Sequence, residues 1–182
     1  MEYPNALIYD EVLNDLYDYF FVADLDNMAR FKEAQDLDDD LLSPLVSSEQ
    51  GDRIVEQGVM LALPGITNRP YHLLFKHGAA ATLAAPGNQV IHHKGGYLLE
   101  VTSGRVHLFT VPLLMDWSGR RAFVQDNKPS FALPKGHYRV EVLAGFLNGD
   151  PEGDAAIELL FTKAAPFQPQ IDLQYRFALP DC

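Results

Sequence analysis

The chain has 182 residues, 47% of them apolar and 21% charged, with a formal net charge of −11. That length suits a single domain, and the apolar share is too high for wholesale disorder. The one cysteine, Cys182, excludes an intrachain disulfide, and no apolar run approaches the roughly 20 residues that a membrane-spanning helix needs.

The charge is unevenly placed. Residues 2–52 hold fourteen Asp and Glu against two bases, Arg30 and Lys32, a net of −12. The remainder is close to neutral, with eleven acids and twelve bases. The expected organisation is one domain over residues 1–182 with an acidic N-terminal segment at 1–52. A concentrated negative field repels nucleic acid and anionic membranes and attracts basic proteins. The bases of the body are scattered, so they make no footprint for DNA or RNA. Met1-Glu2-Tyr3-Pro4 offers neither a basic region nor an apolar core of a signal sequence, so a soluble cytoplasmic chain is expected.

In chain order, residues 16–22 place Tyr17, Tyr19 and Phe21 on one side of a period-2 pattern and predict a strand. That strand accounts for its aromatics as core residues rather than as a binding surface. Residues 26–35 carry Met28, Phe31 and Ala34 at helical spacing behind an acidic start and predict a short helix. Residues 36–44 are polar, end in Ser43-Pro44 and predict a loop. Ser47 followed by Gln50 has the spacing of a capping box, which predicts a helix over 48–57 that stops at Gly58. Gly51 weakens that helix by roughly 1 kcal/mol relative to alanine.

Beyond Gly58 the texture changes to short strands and Gly/Pro turns. Strands are predicted at 59–63, 71–76, 89–93 and 97–101, the last two joined as a hairpin across Lys94-Gly95-Gly96. Further strands are predicted at 105–111, 121–125, 131–133, 137–143 and 156–162. Residues 171–177 alternate Ile171, Leu173, Tyr175 and Phe177 with polar partners and predict a last, half-exposed strand. Trp117 falls at a predicted turn and is read as a core residue. Together these elements imply a mainly β fold: an antiparallel, jelly-roll-like β-sandwich with one or two short helices in the N-terminal third.

Catalytic patterns are missing from the sequence. There is no Gly-x-Ser-x-Gly, P-loop, dinucleotide fingerprint, HExxH or CxxC. Cys182, at the end of the chain, has nothing to hold it beside a base. An EF-hand needs Gly at position six and Glu at position twelve. Counting from Asp36 these are Leu41 and Ser47, and from Asp24 they are Ala29 and Gln35. His92, His93, Glu100 and His137 have a superficial likeness to the metal motifs of cupin-like barrels, and His107 adds a further imidazole. Adjacent histidines on a strand face opposite sides, however, so His92 and His93 cannot converge on one ion. No cofactor or metal is expected.

Ser130-Phe131-Ala132-Leu133-Pro134-Lys135-Gly136-His137-Tyr138 resembles a Ser-Phe-x-Leu-Pro-Lys-Gly-x-Tyr segment of the competence protein J family. Ile54-Val55-Glu56-Gln57-Gly58 is similar to the end of that family's short helix, Ile-x-Glu-x-Gly, which precedes its first core strand. The resemblance covers about residues 48–162 and extends in style to immunity proteins that neutralise bacterial toxins. It implies a small β-sandwich that binds and inhibits a nuclease, with no functional residues to transfer.

The expected function is a non-enzymatic inhibitor that sets an acidic surface against a basic toxin or nuclease. Asp24, Asp26, Asp36, Asp38, Asp39 and Asp40 are the candidate partner-binding residues. The alternatives are a metal-dependent cupin-like barrel enzyme and a general ligand-binding or assembly module.

Overall fold

The structure, a computed structural model, describes residues 18–151 and 154–181, together with the backbone course of residues 6–12. Tyr17 and Cys182, considered above, lie outside the described residues. The elements run β1 (Ala6–Val12), β2 (Tyr19–Ala23), α1 (Leu25–Ala34), α2 (Leu42–Ser47), α3 (Gln50–Glu56), β3 (Met60–Pro64), β4 (Pro70–His77) and β5 (Gln89–Val101). They continue with β6 (Arg105–Phe109), α4 (Val111–Met115), α5 (Trp117–Asn127), β7 (Ser130–Ala132), β8 (Gly136–Leu147) and β9 (Asp154–Ala164).

The described strands form two sheets, ordered β1-β4-β9-β8-β5 and β3-β2-β6-β7, and neither closes into a barrel. The fold is mainly β, as expected. Pairing is antiparallel throughout except between β4 and β9, which run parallel from His72 opposite Ala156 to His77 opposite Phe161. The expectation of a purely antiparallel arrangement is corrected there. Turn residues report which neighbours fold back as hairpins, but a pair of strands some eighty residues apart leaves no local mark.

Alternation sorts the side chains of β2, β3 and β6 between two faces, and both faces are apolar. Phe20, Val22, Leu61 and Leu108 from the four-stranded sheet share a buried cluster with Leu73, Phe75, Val140 and Leu159 from the five-stranded sheet. The other face of the four-stranded sheet presents Phe21, Ala23, Met60 and Phe109 to helix residues Met28, Phe31, Ile54, Leu114 and Trp117. Helices therefore occur between β6 and β7 as well as near the N-terminus, which corrects the expected distribution. On the outer side of the five-stranded sheet, Leu83 joins Leu74, Leu143 and Leu147.

Four local expectations are overturned for identifiable reasons. Residues 89–101 form one strand, not a hairpin, because Gly95-Gly96 is a bulge in the β5–β8 ladder, with a register shift between Lys94 and Tyr97. Gly96 has φ +87°, and a Cβ there would meet the Gln170 carbonyl oxygen at 3.1 Å. Residues 121–125 are helical, because Asp116 accepts from the Gly119 amide at 3.1 Å and caps α5. The expected loop at 36–44 ends early, at α2. The capping box also fails: Ser47 is the last residue of α2, and α3 has no side-chain cap from its flanking Glu49. Gly51 is required rather than tolerated, since a Cβ would lie 2.1 Å from the Leu45 carbonyl oxygen.

Residues 165–181 join no sheet; they cross the molecule as a strap. The Phe177 amide donates to the Pro64 carbonyl at 2.8 Å, and Phe177 and Leu179 sink into the shared core. Each such side chain contributes about 1.5–3 kcal/mol by leaving water. The predicted last strand is thus a half-exposed segment outside both sheets, with Phe177 buried, Ile171 and Tyr175 half-buried and Leu173 exposed.

His107 on β6 faces the helices and is 5% exposed. Its Nε2 has no hydrogen-bond partner among the described residues. Burial pushes its pKa below the ordinary 6.5, aided by Arg105 and opposed by the Gln125 carbonyl and Asp24. The folded state therefore holds a neutral imidazole, while the unfolded chain gains a proton near pH 6.5. The stability this group contributes is complete above that pH and is lost as the pH falls below it. We expect the urea midpoint to drop between pH 7 and pH 5, and to drop less in His107→Leu. Equal drops would show that His107 does not cause the effect.

Candidate protein-docking face

The six sequence-predicted aspartates have different fates. Asp24 ends β2 and caps α1, with Oδ1 accepting from the amides of Asp26 at 3.0 Å and Asn27 at 3.4 Å. Oδ2 accepts from the amides of Thr102 at 2.7 Å and Ser103 at 2.6 Å. The residue is 0% exposed, so it cannot touch a partner and leaves the docking set. Its role is to lock helix α1 to the β5–β6 turn.

Asp26 is exposed but pairs with Arg121 of α5, whose guanidinium also lies 5.3 Å from the centre of the Trp117 ring. Asp39 sits 3.5 Å from Lys32 Nζ and accepts from Ser118 Oγ at 2.8 Å. Its carbonyl accepts from the Trp117 amide at 3.0 Å. Asp40 accepts from the Ser43 amide and hydroxyl, which cap α2 and hold the Asp40 carboxyl below its usual range. The Leu41 amide donates to the Leu114 carbonyl at 2.7 Å. These bonds fix the acidic loop against α4 and α5.

Asp36 and Asp38 are the exposed carboxylates of the loop with no side-chain partner among the described residues. Asp36 has φ +53°, a left-handed conformation that Asp tolerates, and it turns the chain out of α1.

Sequence reasoning did not single out Glu49, Asp52 and Glu56. They fall at i, i+3 and i+7 through α3 and its first flanking residue, all exposed, so they line one side of the helix. Arg53 is drawn aside, 3.2 Å from Glu49 and 3.5 Å from Gln35 Oε1. Residues 36–56 thus carry seven acids and one base. The signal for the α3 members was the helical spacing of the acids, which the denser run at 36–40 obscured.

Between these helices and the helix-side face of β2 and β3 lies a groove of about 840 Å³. Tyr19 and Phe21 form part of its floor, stacked with ring centres 5.4 Å apart. Leu45 and Val46 of α2 and Ala62 of β3 line it, and Leu173 of the strap reaches it. Asp52 is the one charged side chain among the described lining residues. Phe20 points the other way and is wholly buried, so the aromatic strand packs into a core on both sides, with Phe21, itself 5% exposed, beneath the groove.

The histidines do not converge. His92 Nε2 faces the Ala178 carbonyl at 2.7 Å and must donate to it, leaving Nδ1 of a neutral ring to accept from Tyr175 at 2.6 Å. His93 turns outward to Glu141 at 3.0 Å, and His137 lies 3.9 Å from Glu100. Among the described residues no three His, Cys, Asp or Glu are grouped to hold a metal ion. No described helix is long and apolar enough to cross a membrane.

No family model matches the chain, and no curated protein matches it. Two solved structures resemble it. One is the crystal structure of ComJ from Bacillus subtilis, an inhibitor of the DNA-degrading activity of NucA. It has a TM-score of 0.46 and 14% identity, over 87% of this chain and 99% of that one. The other, described as crocagin biosynthetic gene J, has a TM-score of 0.47 and 13% identity, over 85% and 97%. The resemblance read from the sequence is thus also a weak resemblance in structure, and it transfers no residue role.

Proposed function

We propose that the chain is a non-enzymatic inhibitor of a nuclease or toxin, working in the cytoplasm as a jelly-roll-like β-sandwich that docks a basic partner protein. The observation that carries this reading is the charge of residues 36–56, seven acids against one base, on an ordered and exposed helix-loop face. Nucleases and many toxins present cationic clefts for phosphate, and carboxylates can occupy the same positions. Complementary fields raise association rates and suppress wrong partners.

Asp36, Asp38, Glu49, Asp52 and Glu56 are the surface carboxylates of this reading. Asp26 and Asp39 contribute field while holding Arg121 and Lys32. Affinity purification from the native cell should recover a partner of high isoelectric point whose activity falls when the chain is added. Asp36→Asn with Asp38→Asn should then slow association about three- to tenfold at low salt and flatten its salt dependence, with the urea midpoint unchanged. An unchanged on-rate, or a partner that is not basic, would reject the reading.

A further inference from the structure

The groove is lined mostly by apolar side chains. Helix α2 explains why. Its sequence, Leu-Ser-Pro-Leu-Val-Ser, offers four apolar side chains, yet none is buried, and Val46 is 77% exposed. A six-residue helix gains little from its own hydrogen bonds, so it is held by Asp40 at its start and by Leu41 against α4. Leu42 and Leu45 pack in part against the core cluster that holds Phe21, and with Val46, Tyr19 and Ala62 they line the groove.

The lining points to the chemistry of an occupant. Asp52 stands in the wall as its one charged side chain among the described lining residues, while Glu49, held by Arg53, and Glu56 lie on the same helix outside the lining. No Lys or Arg lies among the described lining residues. An anionic amphiphile, such as a fatty acid, would meet like charge at the mouth. The groove is open along one side rather than enclosed, which suits a chain segment passing through it.

We infer that the groove receives the apolar side chains of a cationic amphipathic segment of the partner protein, with a Lys or Arg of that segment paired to Asp52 in the groove wall. This rests on the docking reading above and specifies where the partner is anchored. Charge steers the approach, and burial of apolar side chains against Tyr19, Phe21 and Ala62 provides the residence time.

The test uses the full chain and three fluorescent synthetic sixteen-residue peptides, read by anisotropy at physiological salt. The first has Leu at helical i, i+3, i+4 spacing with Lys elsewhere; the second replaces Lys by Glu; the third replaces Leu by Ser. The Leu/Lys peptide should bind, the Leu/Glu peptide should not, and the Ser/Lys peptide should bind at least tenfold more weakly. Ala62→Trp, which fills the groove, and Val46→Asp, which alters only its exposed lip, should each weaken the Leu/Lys peptide at least tenfold.

Equal binding of the Ser/Lys and Leu/Lys peptides, or binding unaffected by both substitutions, would overturn the groove while leaving the charged docking face intact. No binding of any peptide would overturn it as well. Self-association of the chain that Val46→Asp abolishes would name a second copy as the occupant and equally reject the inference. Loss of partner capture in Asp36→Asn/Asp38→Asn, with peptide binding retained, would separate the two sites.

Discussion

Asp24→Ala is expected to remove on the order of 3–5 kcal/mol of stability, read as a fall in the urea midpoint with little change in slope. The carboxylate is 0% exposed and accepts from four backbone amides at two places far apart in the chain. Alanine would orphan the Thr102 and Ser103 amides at the β5–β6 turn and uncap α1 at the same time. Each buried donor left unsatisfied costs about 1–3 kcal/mol, and a lost cap about 0.5–2 kcal/mol. Asp24→Asn should recover only part of the loss, because its NH₂ group would point donors at donors. A loss below about 1 kcal/mol would mean that water replaces these contacts and that the carboxylate is not the lock described.

Glu158→Ala should have an effect of similar size. Glu158 is buried on the outer face of β9, with Oε1 accepting from the Thr82 amide at 2.7 Å and Oε2 from the Leu83 amide at 2.8 Å. Lys76 Nζ lies 3.6 Å away and also donates to the Ala80 carbonyl at 2.8 Å. Breaking one side of a buried ion pair costs about 3–5 kcal/mol, because the remaining charge is stranded. Lys76→Met combined with Glu158→Leu removes both charges but still leaves the two amides without an acceptor. We therefore expect the double variant to regain part, not all, of the stability, and residues 78–88 to exchange amide hydrogens faster in both variants. Full recovery in the double variant would show that the amides find other partners and that the loss in Glu158→Ala came from the stranded Lys76 charge alone.

Asp24 and Glu158 show why charge counted along a chain is a poor map of charge at a surface. Asp24 belongs to the acidic quarter by position, yet it is a cap. Asp39 and Asp40 sit in the densest acidic run, and both serve local structure: one holds Lys32 and Ser118, the other starts α2. Asp36 and Asp38 remain, joined by three α3 carboxylates that the run concealed. The exposed acidic stretch was legible in outline from residues 36–40, but which of its carboxylates stay at the surface depended on which of them the fold consumed.

The groove was less legible. Leu42, Leu45 and Val46 read as ordinary members of an acidic, loop-like stretch, and Tyr19, which is only half-buried, as a core residue like its buried neighbour Phe21. Nothing local says that an apolar side chain will be left half-packed. That outcome depends on how far α2 stands from β2, which the bond between Leu41 and Leu114 helps to set.

From the sequence alone followed the β texture, the aromatic strand β2, helix α1, the opposed directions of His92 and His93, and the acidic bias of the N-terminal quarter. Each of these depends on neighbours within a few residues, where the period of apolar positions or the count of charges suffices. Tertiary structure decided the parallel β4–β9 pair, the Gly95-Gly96 bulge under the strap, the helical α5 and the division of carboxylates into buried locks and free surface. These depend on contacts between segments distant along the chain, where hydrogen bonds and burial at the meeting point outweigh local preference.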